Sequence, residues 1–183
     1  VDGETRGIGE YVGTVRSDLG PLARFEVVYE DAELIGGVDA TDDDALRRVI
    51  GEVSPDAIVN CVGIIKQLRE AHNALLSVRI NAYLPHLLAA LAAEGGCRLV
   101  HFSTDCVFSG DRGGYTEQDH SDARDLYGKS KHLGETGADE PAAVTLRTSI
   151  IGRELRRPTH GLLEWFLAQR GGRCKGFARA IYS

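Results

Sequence analysis

A chain of 183 residues with 43% hydrophobic content is long enough to bury one globular core. Its 27 acidic against 21 basic residues give a formal charge of −6, and no basic stripe interrupts the pattern. Nucleic acid and an anionic membrane surface are therefore disfavoured as partners, and a small molecule is expected. Apolar runs then alternate with helical patterns, the mark of a parallel sheet covered on both faces. Strands are predicted at Tyr11 to Val15, Glu33 to Gly36, Ala57 to Val62, Arg98 to Phe102 and Ala143 to Leu146. Helices are predicted at Thr41 to Val53, Ala71 to Glu94 and Leu126 to Thr136. Asp42, Asp43 and Asp44 open the first helix, where negative charge complements the helix dipole. Pro85 removes a backbone hydrogen bond from the long middle helix and should bend it, one turn after Asn81. A short amphipathic helix, Gly161 to Leu167, follows the last strand, and its Trp165 reads as core or as a subunit contact.

Chemistry concentrates between His101 and Glu135. The fourth predicted strand ends at Ser103-Thr104-Asp105, so hydroxyl side chains sit at its carboxyl end, where open α/β sheets bind ligands. Tyr127 and Lys131 are four residues apart in a helical segment, which places a phenol and an ammonium on one face. A neighbouring ammonium favours phenolate, so the pair is expected to lower the tyrosine pKa and to donate a proton near neutral pH. Taken alone, such a pair is an ordinary solvated helix face; the hydroxyl-rich strand end upstream turns the balance towards a reductase site.

In this stretch the sequence resembles the extended short-chain dehydrogenase/reductases, in the branch of sugar-nucleotide reductases. The segment Ser103 to Gly110, STDCVFSG, is similar to the family's STDxVFxG motif, and Tyr115-Thr116-Glu117 to its YxE turn. Tyr127-Gly128-Lys129-Ser130-Lys131 resembles YGxSK, and Leu146-Arg147-Thr148-Ser149 resembles LRTS. Asn60-Cys61-Val62-Gly63, and Asn81-Ala82 with Pro85, occupy places similar to the NAA and NAxxP segments. The resemblance implies a doubly wound, Rossmann-like α/β domain over residues 1–152 and the start of a small substrate region over 153–183. It also implies roles: Thr104 bonds the substrate carbonyl, Tyr127 donates the proton, and Lys131 lowers the tyrosine pKa and holds the nicotinamide ribose. Ser103 is expected to support the cofactor side, because neighbouring strand residues face opposite ways.

The cofactor is expected to be NADP, with NAD possible. Gly3, Gly7 and Gly9 resemble the short-chain GxxxGxG turn, whose glycines let backbone approach a pyrophosphate. Only Val1 and Asp2 precede that turn, and no crossover helix fits between Gly9 and Tyr11. Either residues that complete the fold are missing from the front of this sequence, which is the favoured expectation, or the nucleotide loop is altered. Arg16 and Ser17 follow the first predicted strand, where an NAD enzyme would carry an acidic residue for the ribose; a guanidinium there suits a 2′-phosphate, although a solvated arginine beside Asp18 is the plain alternative. Asp39 matches the family aspartate that meets the adenine amino group, and Asn60 and Gly63 would line the cofactor. Arg153, Arg156, Arg157 and His160 form a basic cluster, either solvated or available to a nucleotide diphosphate.

Cysteines 61, 97, 106 and 174 have no CxxC or metal-ligand spacing and are expected to be reduced and mostly buried, with no metal site. No secretory signal or apolar run of about 18 residues appears, so a cytoplasmic location is expected. The resulting expectation is an NADPH-dependent reductase of a 4-keto sugar nucleotide, with a homodimer possible. Two alternatives stand beside it: an epimerase or dehydratase of the same superfamily, and a non-catalytic NADP-binding regulatory subunit.

Overall fold

The computed structural model describes residues 9–17, 32–137, 139–154 and 159–176. It divides into two compact units, Val1–Ser54 and Pro55–Ser183. In the first, β1 (Tyr11–Thr14) pairs in parallel with β2 (Ala32–Ile35), Tyr11 opposite Ala32 and Thr14 opposite Ile35. Helix α1 (Asp43–Val53) follows, and Asp42 caps it by accepting hydrogen bonds from the Asp44 and Ala45 amides at 3.0 Å each. The acidic run thus begins with a side chain that satisfies two otherwise unpaired donors, while Asp43 and Asp44 supply the charge. Ala45, Leu46 and Val49, at helical spacing, are its buried face.

The second unit holds a three-stranded parallel sheet in the order β3 (Ala57–Asn60), β4 (Arg98–Thr104), β5 (Ala143–Thr148). Its register sets Asn60 opposite His101, Ser103 opposite Arg147 and Thr104 opposite Thr148. Strand β4 runs two residues beyond its expected end, so Ser103 and Thr104 lie in the strand and both are buried. Strand β3 stops at Asn60, two residues early, because the Asn60 side chain accepts from the Val62 amide and turns the chain there. On the sheet's apolar side Val59, Val144 and Leu146 are exposed.

The predicted middle helix, Ala71 to Glu94, is three segments: α2 (Ala74–Ser77), a π-helical stretch (Val78–Tyr83) and α3 (Leu84–Gly95). Pro85 lies in the first turn of α3, where its missing N–H costs little, and the wide π turn precedes it. The irregularity comes ahead of the proline and carries Asn81. By length and composition Ala74–Gly95 could cross a membrane, yet its leucines 84, 87, 88 and 91 are buried and α3 packs on β3 and β4. It is the apolar helix of a sheet-based core. Helix α4 (Leu126–Leu133) ends three residues earlier than predicted, at Gly134. Helix α5 (Leu162–Ala168) leaves Trp165 48% exposed, so of its two expected places, core or subunit contact, the core is ruled out. All four cysteines are free, but only Cys97 is buried, and Cys61 and Cys174 are exposed.

Candidate active site

Local sequence explains why β4 and α4 meet. The Asp125 carboxylate caps α4, accepting from the Gly128 amide at 2.7 Å. Gly128 is required for a different reason: a Cβ there would collide with the Cys106 carbonyl just past the end of β4. Gly134 plays the same part at the other end, where a Cβ would strike the Asn81 carbonyl in the π turn. Two glycines thus let α4 press against both the strand end and the long helix. Asn81, 1% exposed, locks the arrangement. Its Oδ1 accepts from the Ile64 amide at 2.8 Å, and its Nδ2 donates to the Ile64 carbonyl at 3.0 Å and to Ser130 Oγ at 3.2 Å.

Thr104 and Tyr127 are brought together by this packing. The threonine hydroxyl accepts from the Cys106 amide at 3.1 Å, donates to Asp105 Oδ1 at 3.1 Å, and lies near enough to the tyrosine phenol to act on its pKa. Burial raises the Tyr127 pKa, and Thr104 and the charge of Lys66 only partly offset it. The expectation that Lys131 lowers the tyrosine pKa is not met in this arrangement. Lys131 Nζ points instead at the Phe102 carbonyl, 2.7 Å away, and lies 3.5 Å from His101 Nε2. The cation beside the phenol is Lys66, 5.5 Å from the ring centroid and paired with Asp125 at 2.8 Å. Burial pushes the Lys131 pKa down to about 8, against a small opposing effect of Glu135.

Ser103 is separately engaged. Its hydroxyl donates to Glu135 Oε1 at 2.7 Å, and the same carboxylate takes a two-pronged bond from Arg147, 2.8 Å at each nitrogen, and a contact from His132 Nδ1 at 2.9 Å. Burial alone would raise the Glu135 pKa, but Arg147, His132 and Ser103 together hold it below the usual carboxylate value. Arg147 also lies 5.0 Å over the Phe108 ring, which stacks on Tyr115 at 4.3 Å. The YxE-like turn and the LRTS-like strand end are therefore parts of one brace behind Ser103. Sequence reasoning had not singled out His101, Glu135 or Lys66; the available signal for the first was a histidine inside an otherwise apolar strand.

The expected cofactor residues fall in both units. Gly3 and Gly7 lie outside the described residues, as do Arg156 and Arg157, while Gly9 is exposed with open space at its Cβ position. In the first unit Arg16 and Ser17 are exposed just past β1, and the Asp39 carboxylate follows β2. The Val38 amide bonds the Val15 carbonyl and the Gly37 amide that of Ser17, so the two strand ends stay together. Bonds from the Thr41 amide and hydroxyl, both 2.8 Å, lower the Asp39 pKa, with a smaller contribution from Arg16. An exposed guanidinium and hydroxyl at a strand's carboxyl end suit a ribose phosphate. In the second unit Gly63 leaves room beside Lys131 Nζ, 3.9 Å from its Cβ position, whereas the Asn60 side chain is 2% exposed and turned to His101. Arg153 is committed to Glu164 at 2.5 Å. Among the described residues there is no cluster able to hold a metal ion.

Residues 13–159 match the family described as the RmlD substrate binding domain. The chain belongs to that family. It is 35% identical over 120 residues to dTDP-4-dehydrorhamnose reductase of Mycobacterium tuberculosis, covering 62% of this chain and 39% of that protein. It is equally 35% identical over 119 residues to the β subunit of methionine adenosyltransferase 2 of Danio rerio, covering 63% and 36%. The solved dTDP-4-dehydrorhamnose reductase of Bacillus anthracis in complex with NADP matches with a TM-score of 0.67 at 26% identity, over 88% of this chain and 60% of that one. The parallel α/β architecture is thus that of the Rossmann-like reductases. The chain spans about two fifths of the length of these curated relatives.

Proposed function

We propose that this chain carries the nucleotide-binding and catalytic part of an NADPH-dependent reductase that acts on a 4-keto sugar nucleotide. The observation that carries the reading is the meeting of the Thr104 hydroxyl with the Tyr127 phenol at the end of β4. A carbonyl oxygen placed there can accept from both groups, and the phenol is the proton donor. Lys131, on the same helix face one turn on, is the group for the nicotinamide ribose; Ser103 and the Glu135 brace fix the strand end from behind. Arg16 and Ser17 are assigned to the 2′-phosphate and Asp39 to the adenine, with Gly3, Gly7, Gly9, Asn60 and Gly63 as backbone along the dinucleotide. NADPH, when bound, supplies the hydride. Residues 153–183 are assigned to the start of the substrate region, and the reaction to the cytoplasm.

Thr104 accepts from the Cys106 amide and donates to Asp105 Oδ1, each at 3.1 Å, so its oxygen is fixed, and its proton turns to a substrate carbonyl by leaving that carboxylate. Burial keeps Tyr127 protonated at neutral pH, as a proton donor must be before the reaction. The identity to the methionine adenosyltransferase β subunit supports the competing, non-catalytic reading. Turnover decides between them. Full-length protein is to be assayed with NADPH and NADH on a panel of 4-keto sugar nucleotides. Consumption of NADPH with formation of the 4-hydroxy sugar is expected; tight NADPH binding without turnover of any such sugar favours the regulatory reading.

A further inference from the structure

His101 lies in the middle of β4, is 0% exposed, and makes its two contacts through its ring nitrogens. The polarity of one of them is set from outside. The Val62 amide donates to Asn60 Oδ1 at 3.0 Å, which fixes the orientation of that side chain. Asn60 Nδ2 then faces His101 Nδ1 at 3.1 Å, and an amide nitrogen can only donate. His101 Nδ1 must be the acceptor. A neutral imidazole with an unprotonated Nδ1 carries its proton on Nε2, and Nε2 faces Lys131 Nζ at 3.5 Å.

An N–H aimed at a lysine nitrogen is favourable only when that nitrogen offers a lone pair. An ammonium in the same place has none to offer. It would be accommodated only if the imidazole changed tautomer, which sets Nδ1–H against Asn60 Nδ2, or if Asn60 turned over and gave up the Val62 amide. We propose that His101 is a positioning residue for Lys131: the chain from Val62 through Asn60 presents an N–H to Nζ and so weakens the hold of Lys131 on its extra proton. The lysine keeps the Phe102 carbonyl as an acceptor in either state.

The surroundings agree in direction. Burial pushes the His101 pKa down to about 4, with Lys131 as the next contributor, so the imidazole is neutral at working pH. The charged groups acting on the lysine and histidine are Glu135, which favours cations at both, and His86, which disfavours one at His101. Glu135 is itself occupied by Arg147, Ser103 and His132, so its charge is largely spent on them. Lys66 Nζ lies 5.5 Å from the Tyr127 ring centroid and is tied to Asp125. The consequence is that Lys131 changes charge just above neutral pH. Its use as a ribose-holding cation, which rests on the reading above, then depends on pH in a range where an ordinary lysine would not.

Nuclear magnetic resonance of the full-length protein tests this without substrate. Imidazole nitrogen shifts report the tautomer of His101, and lysine Cε shifts, assigned through Lys131→Met, report the titration of Lys131. The Nε2–H tautomer is expected, with half-titration of Lys131 near 8. Asn60→Asp keeps an acceptor for the Val62 amide but makes the other oxygen an acceptor as well, which reverses the chain; the titration should move up by roughly one pH unit or more. His101→Gln, whose oxygen can meet Asn60 and whose amide nitrogen can meet Nζ, should stay within about half a unit of wild type. An Nδ1–H tautomer in the wild type, or an unmoved Lys131 titration in Asn60→Asp, overturns the proposal. The alkaline limb of kcat/KM should follow the Asn60→Asp shift. If the titration moves and the limb does not, the inference about His101 stands and the assignment of Lys131 to the reaction fails.

Discussion

Two lysines flank the Tyr127 helix turn, and they sit in opposite settings. Lys131 is 4% exposed, faces a carbonyl and an imidazole, and has its pKa pushed down to about 8 by burial. Lys66 has a side chain 43% exposed, and although burial works against its charge, Asp125 and Cys106 together outweigh it and raise its pKa. The spacing of Tyr127 and Lys131 points to the buried lysine as the cation beside the phenol, but the cation that acts on the phenol is the exposed one. Helical spacing establishes which residues share a face; it does not establish where a four-carbon side chain ends. Here the difference lies in what the strand behind the helix offers, because β4 presents the Phe102 carbonyl, which accepts from the lysine, and a histidine at 101.

The phenol shares its helix with Lys131 and has Lys66 over its ring, and removing it is the strongest test. Tyr127→Phe deletes the proposed proton donor and keeps the ring that packs at the strand end. General acid catalysis is worth roughly 10²- to 10⁴-fold, so turnover of the full-length enzyme should fall by that much with NADPH affinity kept. More than about a tenth of wild-type turnover remaining would refute the assignment.

The buried side of the comparison also predicts how stability depends on pH. His101 is neutral in the fold with a pKa near 4, against 6.5 when unfolded. Its folded pKa is depressed, so the stability tied to the neutral ring is complete above about pH 6.5 and is lost as pH falls from there towards 4. The size is on the order of 3 kcal/mol, from 1.36 kcal/mol for each pH unit of difference. Urea unfolding at pH 7 and pH 4.5 should show most of that loss in the wild type and much less of it in His101→Gln. Glu135, whose carboxyl is held below its ordinary 4.5, adds a loss that begins only below that value. Equal sensitivity of both proteins between pH 6.5 and 5 would show that His101 is not the group responsible.

How far the sequence carried these arguments depends on the kind of residue. The order of strands and helices was legible because apolar runs of strand length and helical periodicity are local signals. Thr104, Tyr127 and Lys131 were legible as a group because their motifs have fixed spacing, and the structure puts the first two in contact. His101, Glu135 and Asn60 act through partners 30 or more residues away, and such pairings exist only once β3, β4 and α4 are packed. The π turn was missed for a related reason: Pro85 announces an irregularity, but the clamp that Asn81 makes with Ile64 and Ser130 determines where it falls. The last turn predicted for α4 was lost because Gly134 has to approach the Asn81 backbone, a demand set by another helix.

Exposed cations should differ from one another according to what they meet. Arg16 is exposed like Lys66, but the partner proposed for it is the 2′-phosphate, which NADH lacks. Arg16→Ala should weaken NADPH by about 1.5 to 3 kcal/mol, the worth of a charge-assisted hydrogen bond, and leave NADH nearly unchanged. Isothermal titration with both cofactors measures this directly. Equal weakening would return Arg16 to the status of a solvated side chain.

Lys66 gives the smallest expected effect and the sharpest limit on the comparison. Its pair with Asp125 is half in water, with side chains 43% and 53% exposed, so solvent screens most of the attraction. Pairs of this kind contribute about 0 to 1 kcal/mol, and Lys66→Met should change stability by no more than that. The helix cap does not depend on it, because Asp125 still accepts from the Gly128 amide through its other oxygen. At the phenol, loss of the nearby positive charge should raise the Tyr127 pKa further, since Lys66 is one of the influences that lower it. The alkaline limb of turnover assigned to the tyrosine should therefore move up slightly in Lys66→Met, while the limb assigned to Lys131 stays where it is. If the lower limb moves with Lys66→Met, Lys66 rather than Lys131 is the base that titrates there, and the buried and exposed lysines exchange roles.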